Sequence, residues 1–161
     1  MTHLFNEQAT FVSDKKTQLE VFKEVSQKLL DLDLVTQDFE KNLIDREKNY
    51  PTGMDLEIVN PLLKNIAIPH TEPEFVKAKL IVPIKLNQPI TFSNMIKPDE
   101  LLEVSYLFMI LNNDPEGQAN LLAMIMEFLT STSPETLTDF FTLTDTKEIN
   151  QFLEHQFKIN N

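Results

Sequence analysis

A histidine at the end of a short apolar run is the residue of this chain best suited to chemistry. His70 closes the segment Ile66–His70, in which three apolar residues lead into Pro69. Proline lacks a backbone N–H and favours an extended residue before it, so the run is predicted to be a short buried strand ending at His70. Ligand sites in α/β sheets collect beyond the carboxyl ends of strands. A neutral imidazole there could attack a phosphoryl group or take a proton; the alternative is a hydrogen-bonded loop histidine.

An arginine and a threonine precede this run. Arg46 lies near the end of a predicted helix, just before Pro51-Thr52-Gly53. Its forked, permanently charged guanidinium suits a phosphate group; the alternatives are a solvated side chain or an ion pair with Asp45 or Glu47. Thr52 could donate its hydroxyl to the same group, or serve only as a turn residue.

A glutamine follows the most apolar segment of the chain. The segment Val104–Leu111 is predicted to be a central strand, and Asp114-Pro115 after it is typical of a helix start, with Asp as N-cap. Gln118 then lies in the first turn of that helix, whose free amides carry partial positive charge and suit a phosphate oxygen. The alternative for Gln118 is an exposed helix residue.

Other kinds of site are disfavoured by what the chain lacks. It has no cysteine, and His3, His70 and His155 are too far apart to have metal-ligand spacing, so neither a metal nor a cofactor is expected. Its two glycines cannot form a Walker loop or a GxGxxG fingerprint.

Charge and composition indicate one acidic globular domain over residues 1–161. With 25 acidic against 14 basic residues and a net charge of −11, a nucleic-acid partner is not expected. The acidity could steer basic partner surfaces, or serve solubility alone. No apolar run approaches the ~20 residues of a membrane span, and no signal peptide opens the chain, so we expect a cytoplasmic protein without membrane insertion.

Apolar periodicity predicts a single α/β domain with a mixed central sheet flanked by helices on both faces. Strand fragments are predicted at Leu4-Phe5 and Phe11-Val12, a helix from Ser13 with Leu19 on its buried face, and a second helix around Phe39–Lys48. Further strands are predicted at Val76–Ile84, interrupted by Pro83, and at Pro89–Phe92. Two more helices are predicted after Ser133-Pro134 and after Asp145, which has capping-box spacing to Glu148.

Three motifs in this order resemble one protein family. Arg46-Glu47, then Pro51-Thr52-Gly53, then Ile66-Ala67-Ile68-Pro69-His70 is similar to the enzyme IIA domains of the bacterial phosphoenolpyruvate-dependent sugar phosphotransferase system, fructose/mannitol superfamily. Leu4-Phe5 near the start and the Asn-Asp-Pro that precedes Gln118 resemble its galactitol-type branch. The resemblance covers nearly the whole chain.

The resemblance implies a phosphoryl carrier. His70 would accept phosphate from the phosphocarrier HPr and pass it to a cysteine of enzyme IIB, and thus act indirectly on the membrane component IIC during uptake of a sugar or polyol. Arg46 and Gln118 would complete the site, although mannitol- and fructose-type members have a second histidine where Gln118 aligns. Gly53 to His70 is longer than in the family, with Asn60-Pro61-Leu62-Leu63 as the extra part, so Glu57 is assigned no role.

Two other functions fit the same residues. A regulatory phospho-switch would use the same histidine to control a partner protein instead of transport. A scaffolding protein with an inert His70 would accept no phosphate from HPr.

Overall fold

Five β-strands form one mixed sheet in the computed structural model, which describes residues 3–160 and the side chains up to residue 157. The strands lie in the order β1-β4-β5-β3-β2. The β1–β4 and β3–β5 pairs are parallel, whereas β4–β5 and β2–β3 are antiparallel. The strand bounds are β1 Phe11–Ser13, β2 Gly53–Met54, β3 Asn65–Ala67, β4 Leu80–Ser93 and β5 Leu101–Leu111.

Helices cover both faces of this sheet. Within the described residues there are five α-helices: α1 Gln18–Asp31, α2 Phe39–Asn49, α3 Gln118–Ser131, α4 Pro134–Thr142 and α5 Thr146–Asn160. Buried residues of α1 and α2 pack in one hydrophobic cluster with the sheet, and those of α3, α4 and α5 pack in a second cluster. The predicted α/β fold with a mixed sheet and helices on both faces is therefore confirmed.

Strand β5 contributes to both clusters. Val104, Met109 and Leu111 belong to the α1–α2 cluster, and Phe108 and Ile110 belong to the cluster of α3, α4 and α5. A strand buried on both faces is apolar along its length, which is why the sequence predicted a central strand. It is the third of five strands, so that prediction is confirmed.

The first two predicted elements differ from the structure. Leu4-Phe5 is not a strand, although the Leu4 carbonyl accepts a hydrogen bond from Ile81 N at 2.7 Å and Phe5 is buried. Helix α1 begins at Gln18 instead of Ser13, because Ser13 ends β1 and the Thr17 side chain caps the helix by accepting Glu20 N–H at 3.2 Å. Leu19, predicted to be buried, is 48% exposed.

Helix α3 begins three residues later than predicted. The Asp114 carboxylate accepts Glu116 N–H at 3.0 Å, and the Asp114 carbonyl accepts Gly117 N–H at 3.0 Å. These bonds form a turn over residues 114–117, so Asp114 is not the N-cap and Gln118 is the first helical residue. The other two predicted starts are confirmed, since Ser133 caps α4 and Asp145 accepts Glu148 N–H at 3.3 Å.

The two strands predicted at Val76–Ile84 and Pro89–Phe92 correspond to a single strand, β4. β4 runs through both prolines, with a register shift between Lys85 and Ile90 that includes Pro89. Pro83 is tolerated because β1 pairs with β4 only from Ile84 onward, so no β1 ladder bond is needed at Pro83. Val76, predicted to start a strand, instead forms an isolated bridge with Val35.

None of the helices among residues 3–160 is long and apolar enough to span a membrane.

Candidate functional site

His70 lies just past the end of β3, beside the end of β5. Ile68 and Pro69, which lead to it, are buried. The Pro69 carbonyl accepts a hydrogen bond from Ile110 N at 3.0 Å, and His70 itself forms an isolated parallel bridge with Ile110. The backbone of His70 is thus fixed to the central strand at the carboxyl edge of the sheet, where the apolar run placed it.

One ring nitrogen of His70 is occupied and the other is free to react. Nδ1 lies 2.9 Å from the carbonyl oxygen of Ile68. A carbonyl only accepts, so Nδ1 carries the proton of the neutral ring and the lone pair is on Nε2. Burial lowers the pKa of His70 below its usual 6.5; the charge of Arg46 acts in the same direction, and the Ile68 bond and Glu72 oppose it. The site therefore holds a neutral imidazole with a nucleophilic Nε2.

Arg46 is linked to the His70 loop. Its guanidinium, in the last turn of α2, forms an ion pair with Glu72, two residues after His70, and its central carbon lies 5.4 Å from the Tyr50 ring centre. The partner is therefore Glu72, and the alternative of an ion pair with Asp45 or Glu47 is not realised. Arg46 Nε is buried without a hydrogen-bond partner among the described residues.

Gln118 lies at the same edge of the sheet as His70. Its Oε1 is 3.4 Å from Nδ2 of Asn112, the first residue after β5 and two positions beyond the Ile110 that pairs with His70. Asn112 Nδ2 also donates to the Asp114 carbonyl at 2.6 Å. No hydrogen bond joins Gln118 to His70 within the described chain, so its place in the site remains a prediction.

Glu47, which sequence reasoning did not place in the site, and Thr52, which it considered as a hydroxyl donor or a turn residue, are linked by hydrogen bonds to Ile68, two residues before His70. The Glu47 side chain is buried, and its carboxylate accepts hydrogen bonds from the backbone N–H and the hydroxyl of Thr52, both at 2.7 Å. Ile68 N–H is in turn shared between Thr52 Oγ1 at 3.2 Å and the Thr52 carbonyl at 3.3 Å. When Glu47 is ionised, the Thr52 hydroxyl therefore donates its proton to Glu47 and not to a ligand.

A signal for Glu47 was present in the sequence. Phe39, Leu43 and Glu47 are spaced four residues apart, so Glu47 continues the buried stripe of α2 instead of its solvent face. Burial raises the pKa of Glu47 to about 7, against the opposing effect of the Thr52 bonds and of Arg46.

A lysine adds positive charge near the start of α3. A β-carbon added at Gly117 would lie 3.4 Å from Lys79 Nζ and 3.0 Å from Asn112 Oδ1. Lys79 directly precedes β4, whose first residue pairs with Leu111 at the end of β5. His70 follows β3, Asn112 follows β5 and Lys79 precedes β4, so the three residues lie at the same edge of the sheet.

This arrangement suits transfer of an anionic group to nitrogen. A neutral imidazole has its lone pair on Nε2, a guanidinium lies near enough to lower the pKa of His70, and the amide end of α3 is at the same edge. Residues 3–157 contain no cluster of three histidine, aspartate or glutamate side chains that could hold a metal ion.

Comparisons with known proteins agree with the sequence motifs. Residues 3–156 match the family model described as phosphoenolpyruvate-dependent sugar phosphotransferase system, EIIA 2. No curated protein sequence matches the chain significantly.

Solved structures share the fold at low sequence identity. The crystal structure of IIA mannitol from Escherichia coli has a TM-score of 0.71 and 16% identity, covering 92% of this chain and 98% of that one. The E. coli mannitol IIA in complex with phosphorylated enzyme IIB has a TM-score of 0.66 and 16% identity, with 93% and 98% covered. The nitrogen regulatory protein IIA-Ntr of Neisseria meningitidis has a TM-score of 0.60 and 19% identity, with 93% and 96% covered. At these identities the likeness establishes the fold alone.

Proposed function

Since the chain belongs to the EIIA 2 family of the phosphoenolpyruvate-dependent sugar phosphotransferase system, we propose that it is a phosphoryl carrier that uses His70. The observation that carries the proposal is the bond from His70 Nδ1 to the Ile68 carbonyl, which leaves Nε2 as the nucleophile. A phosphoryl carrier needs a fixed nucleophile and positive donors around the moving oxygens, and little other chemistry from the protein.

The transfer step follows from this geometry. The Nε2 lone pair forms a bond to phosphorus while the bond from phosphorus to the donor breaks, and its electron pair leaves with the donor. Positive charge spreads over the imidazole to Nδ1–H, so its bond to the Ile68 carbonyl becomes charge-assisted and stronger in transit. Passing the group to an acceptor reverses these changes and restores the neutral ring.

Arg46 and Gln118 are assigned to the phosphoryl oxygens. Arg46 would supply one or two charged N–H donors, which requires it to leave Glu72 at least in part. Gln118 would supply a neutral amide donor beside the first-turn amides of α3.

The proposed partners are HPr as donor and a cysteine of enzyme IIB as acceptor. A structural relative, the E. coli mannitol IIA, forms a complex with phosphorylated enzyme IIB, which supports an enzyme IIB partner here. Through enzyme IIB the carrier would serve the membrane component IIC from the cytoplasm, during uptake of a sugar or polyol of the galactitol kind suggested by the sequence.

A regulatory phospho-switch is the second candidate. The fold is also shared with a nitrogen regulatory protein, IIA-Ntr of N. meningitidis, so a carrier of this fold need not serve transport. Transfer of phosphate from His70 to an enzyme IIB cysteine supports transport; phosphorylation without such transfer supports the switch.

The test is phosphorylation in vitro with phosphoenolpyruvate, enzyme I and HPr. We expect acid-labile phosphate on His70, none on a folded His70→Ala variant, and normal labelling of His155→Ala as the matched control, because His155 is an exposed residue of α5. Full labelling of His70→Ala, or no labelling of the wild type, would overturn the proposal.

A further inference from the structure

A chain of three hydrogen bonds runs from a buried carboxylate to the His70 ring. The Thr52 hydroxyl lies 2.7 Å from Glu47 Oε1, Ile68 N–H lies 3.2 Å from the Thr52 hydroxyl, and His70 Nδ1 lies 2.9 Å from the Ile68 carbonyl. Each group in the chain is buried or half-buried, so little solvent competes for these bonds.

The direction of the chain is set by its ends. When Glu47 is ionised its carboxylate can only accept, so the Thr52 hydroxyl donates its single proton to Glu47; in either state of Glu47 the hydroxyl oxygen accepts Ile68 N–H. Thr52 N–H donates to the second carboxylate oxygen at 2.7 Å, so both oxygens hold the same residue. Thr52 is therefore fixed at its backbone and its side chain.

Ile68 N–H is the last backbone donor before the imidazole. Pro69 has no N–H, so past the Gly53–Ala67 pair of the sheet the segment is held on this side through Ile68 N–H, which is shared between the hydroxyl and the carbonyl of Thr52. On the other side the Pro69 carbonyl is bound by Ile110 N of β5. The N–H and C=O of Ile68 belong to different peptide groups, so Thr52 acts on the ring by placing the residue whose carbonyl orients it.

We propose that Glu47, acting through Thr52, is a positioning residue that holds the Ile68 carbonyl against His70 Nδ1 and so keeps Nε2 as the phosphoryl acceptor. This inference rests on the proposed function of His70. It concerns two side chains that would not touch phosphate, since the backbone nitrogen and the hydroxyl of Thr52 each lie 2.7 Å from an oxygen of the buried Glu47 carboxyl group.

A purely structural role would predict a different pattern. If the Glu47–Thr52 pair only joined α2 to β2, its loss would lower stability and leave the ring of His70 unchanged. If the pair positions the ring, its loss also changes the tautomer of His70 and the rate of the chemical step, while donor binding is unaffected.

Thr52→Val is the main test, since it keeps the shape of the side chain and removes the hydroxyl. We expect the rate constant for phosphoryl acceptance from HPr to fall about tenfold with little change in KM, since loss of orientation acts on the chemical step. We also expect the ¹⁵N spectrum of the neutral ring to show a larger fraction with the proton on Nε2. Thr52→Ser, which keeps the hydroxyl, should retain most of the rate and the wild-type spectrum.

Glu47→Gln provides a second test if Thr52→Val does not fold. A glutamine can accept from Thr52 N–H, but its amide donates to the Thr52 hydroxyl instead of accepting from it, so a smaller shift in the same direction is expected. The matched control is Glu24→Gln, because Glu24 accepts the hydroxyl of Ser13 at 2.7 Å on the distant edge strand β1.

The two proposals fail in different ways. A wild-type rate and an unshifted His70 spectrum in Thr52→Val or Glu47→Gln would overturn the positioning role. A wild-type protein that HPr cannot phosphorylate would overturn the proposed function, while the ¹⁵N spectra would still report whether Glu47 and Thr52 control the ring.

Discussion

Arg46 is occupied by a neighbouring carboxylate in the unphosphorylated protein. Its ion pair with Glu72 is partly exposed, with side-chain exposures of 27% and 49%. Pairs of this kind contribute about 0–1 kcal/mol to stability. The ion pair of Arg46 with Glu72 therefore contributes little to the stability of the fold.

Arg46→Ala should consequently damage transfer much more than folding. We expect phosphoryl acceptance to slow by about 10²-fold, because one charged donor to the moving oxygens is lost, and stability to change by about 1 kcal/mol or less. Rapid-quench phosphorylation and urea unfolding measure the two effects. Lys77→Ala is the matched control, because Lys77 forms an exposed ion pair with Asp33 at 2.7 Å; equal rates in the two variants would contradict the role of Arg46.

Glu47 should make stability depend on pH in an unusual direction. Its pKa is raised from 4.5 to about 7, so the folded protein binds this proton more tightly than the unfolded chain. The associated stability is present below pH 4.5 and is lost as the pH rises to 7, by up to about 3 kcal/mol. Urea unfolding from pH 5 to 8 should show this decline in the wild type relative to Glu47→Gln; parallel curves would contradict it.

At the scale of elements, the position of Gln118 depends on where α3 begins. Because the helix begins at Gln118, its side chain and the first free amides lie together at the edge that holds His70. Gln118→His should keep the carrier working, since a ring N–H can replace the amide donor. Gln118→Leu should slow transfer about tenfold, because it removes a donor from the developing charge.

Asn120→Leu is the control for Gln118, being an exposed residue of the same helix. The phosphorylation rates of Gln118→His, Gln118→Leu and Asn120→Leu test whether Gln118 acts in transfer. A Gln118→Leu protein as fast as Asn120→Leu would show that Gln118 does not act at the site.

The elements that sequence patterns predicted correctly are those determined by local chemistry. Ser133 and Asp145 cap their helices, and β5 is central because it is apolar on both faces. The predicted start of α3 was wrong because the Asp114 carboxylate stabilises a turn instead of capping the helix. An Asp-Pro pair is compatible with either structure. Residue spacing alone cannot distinguish an aspartate that caps a helix from one that stabilises a turn.

The position of His70 could be predicted from the sequence, but its partners could not. Arg46 pairs with a residue 26 positions away, and Ile68 bonds with one 16 positions away. Such contacts depend on how α2 and β2 pack beside β3. Gly53 shows the same limit, since a β-carbon there would lie 2.6 Å from the Ser93 carbonyl, a contact made only once the sheet has formed.

At the scale of the whole molecule, the net charge of −11 should govern how fast partners arrive. Attraction to a basic partner surface raises the association rate and is screened by salt, with a Debye length of ~10 Å at 0.1 M. We expect KM for phosphorylated HPr to rise several-fold when the salt concentration is raised from about 0.05 M to about 0.5 M, with kcat nearly constant. A KM that is independent of salt would assign the charge to solubility alone.

The sharing of β5 between two hydrophobic clusters has a thermodynamic consequence. Its alternate side chains lie in the α1–α2 cluster and in the cluster of α3, α4 and α5. If the helices on one face detach, the β5 side chains on that face become exposed to water, which destabilises the strand on which the cluster of the other face also depends. The two faces should therefore melt in a single cooperative transition, and the slowest amide exchange should be found in the strand that also anchors the histidine.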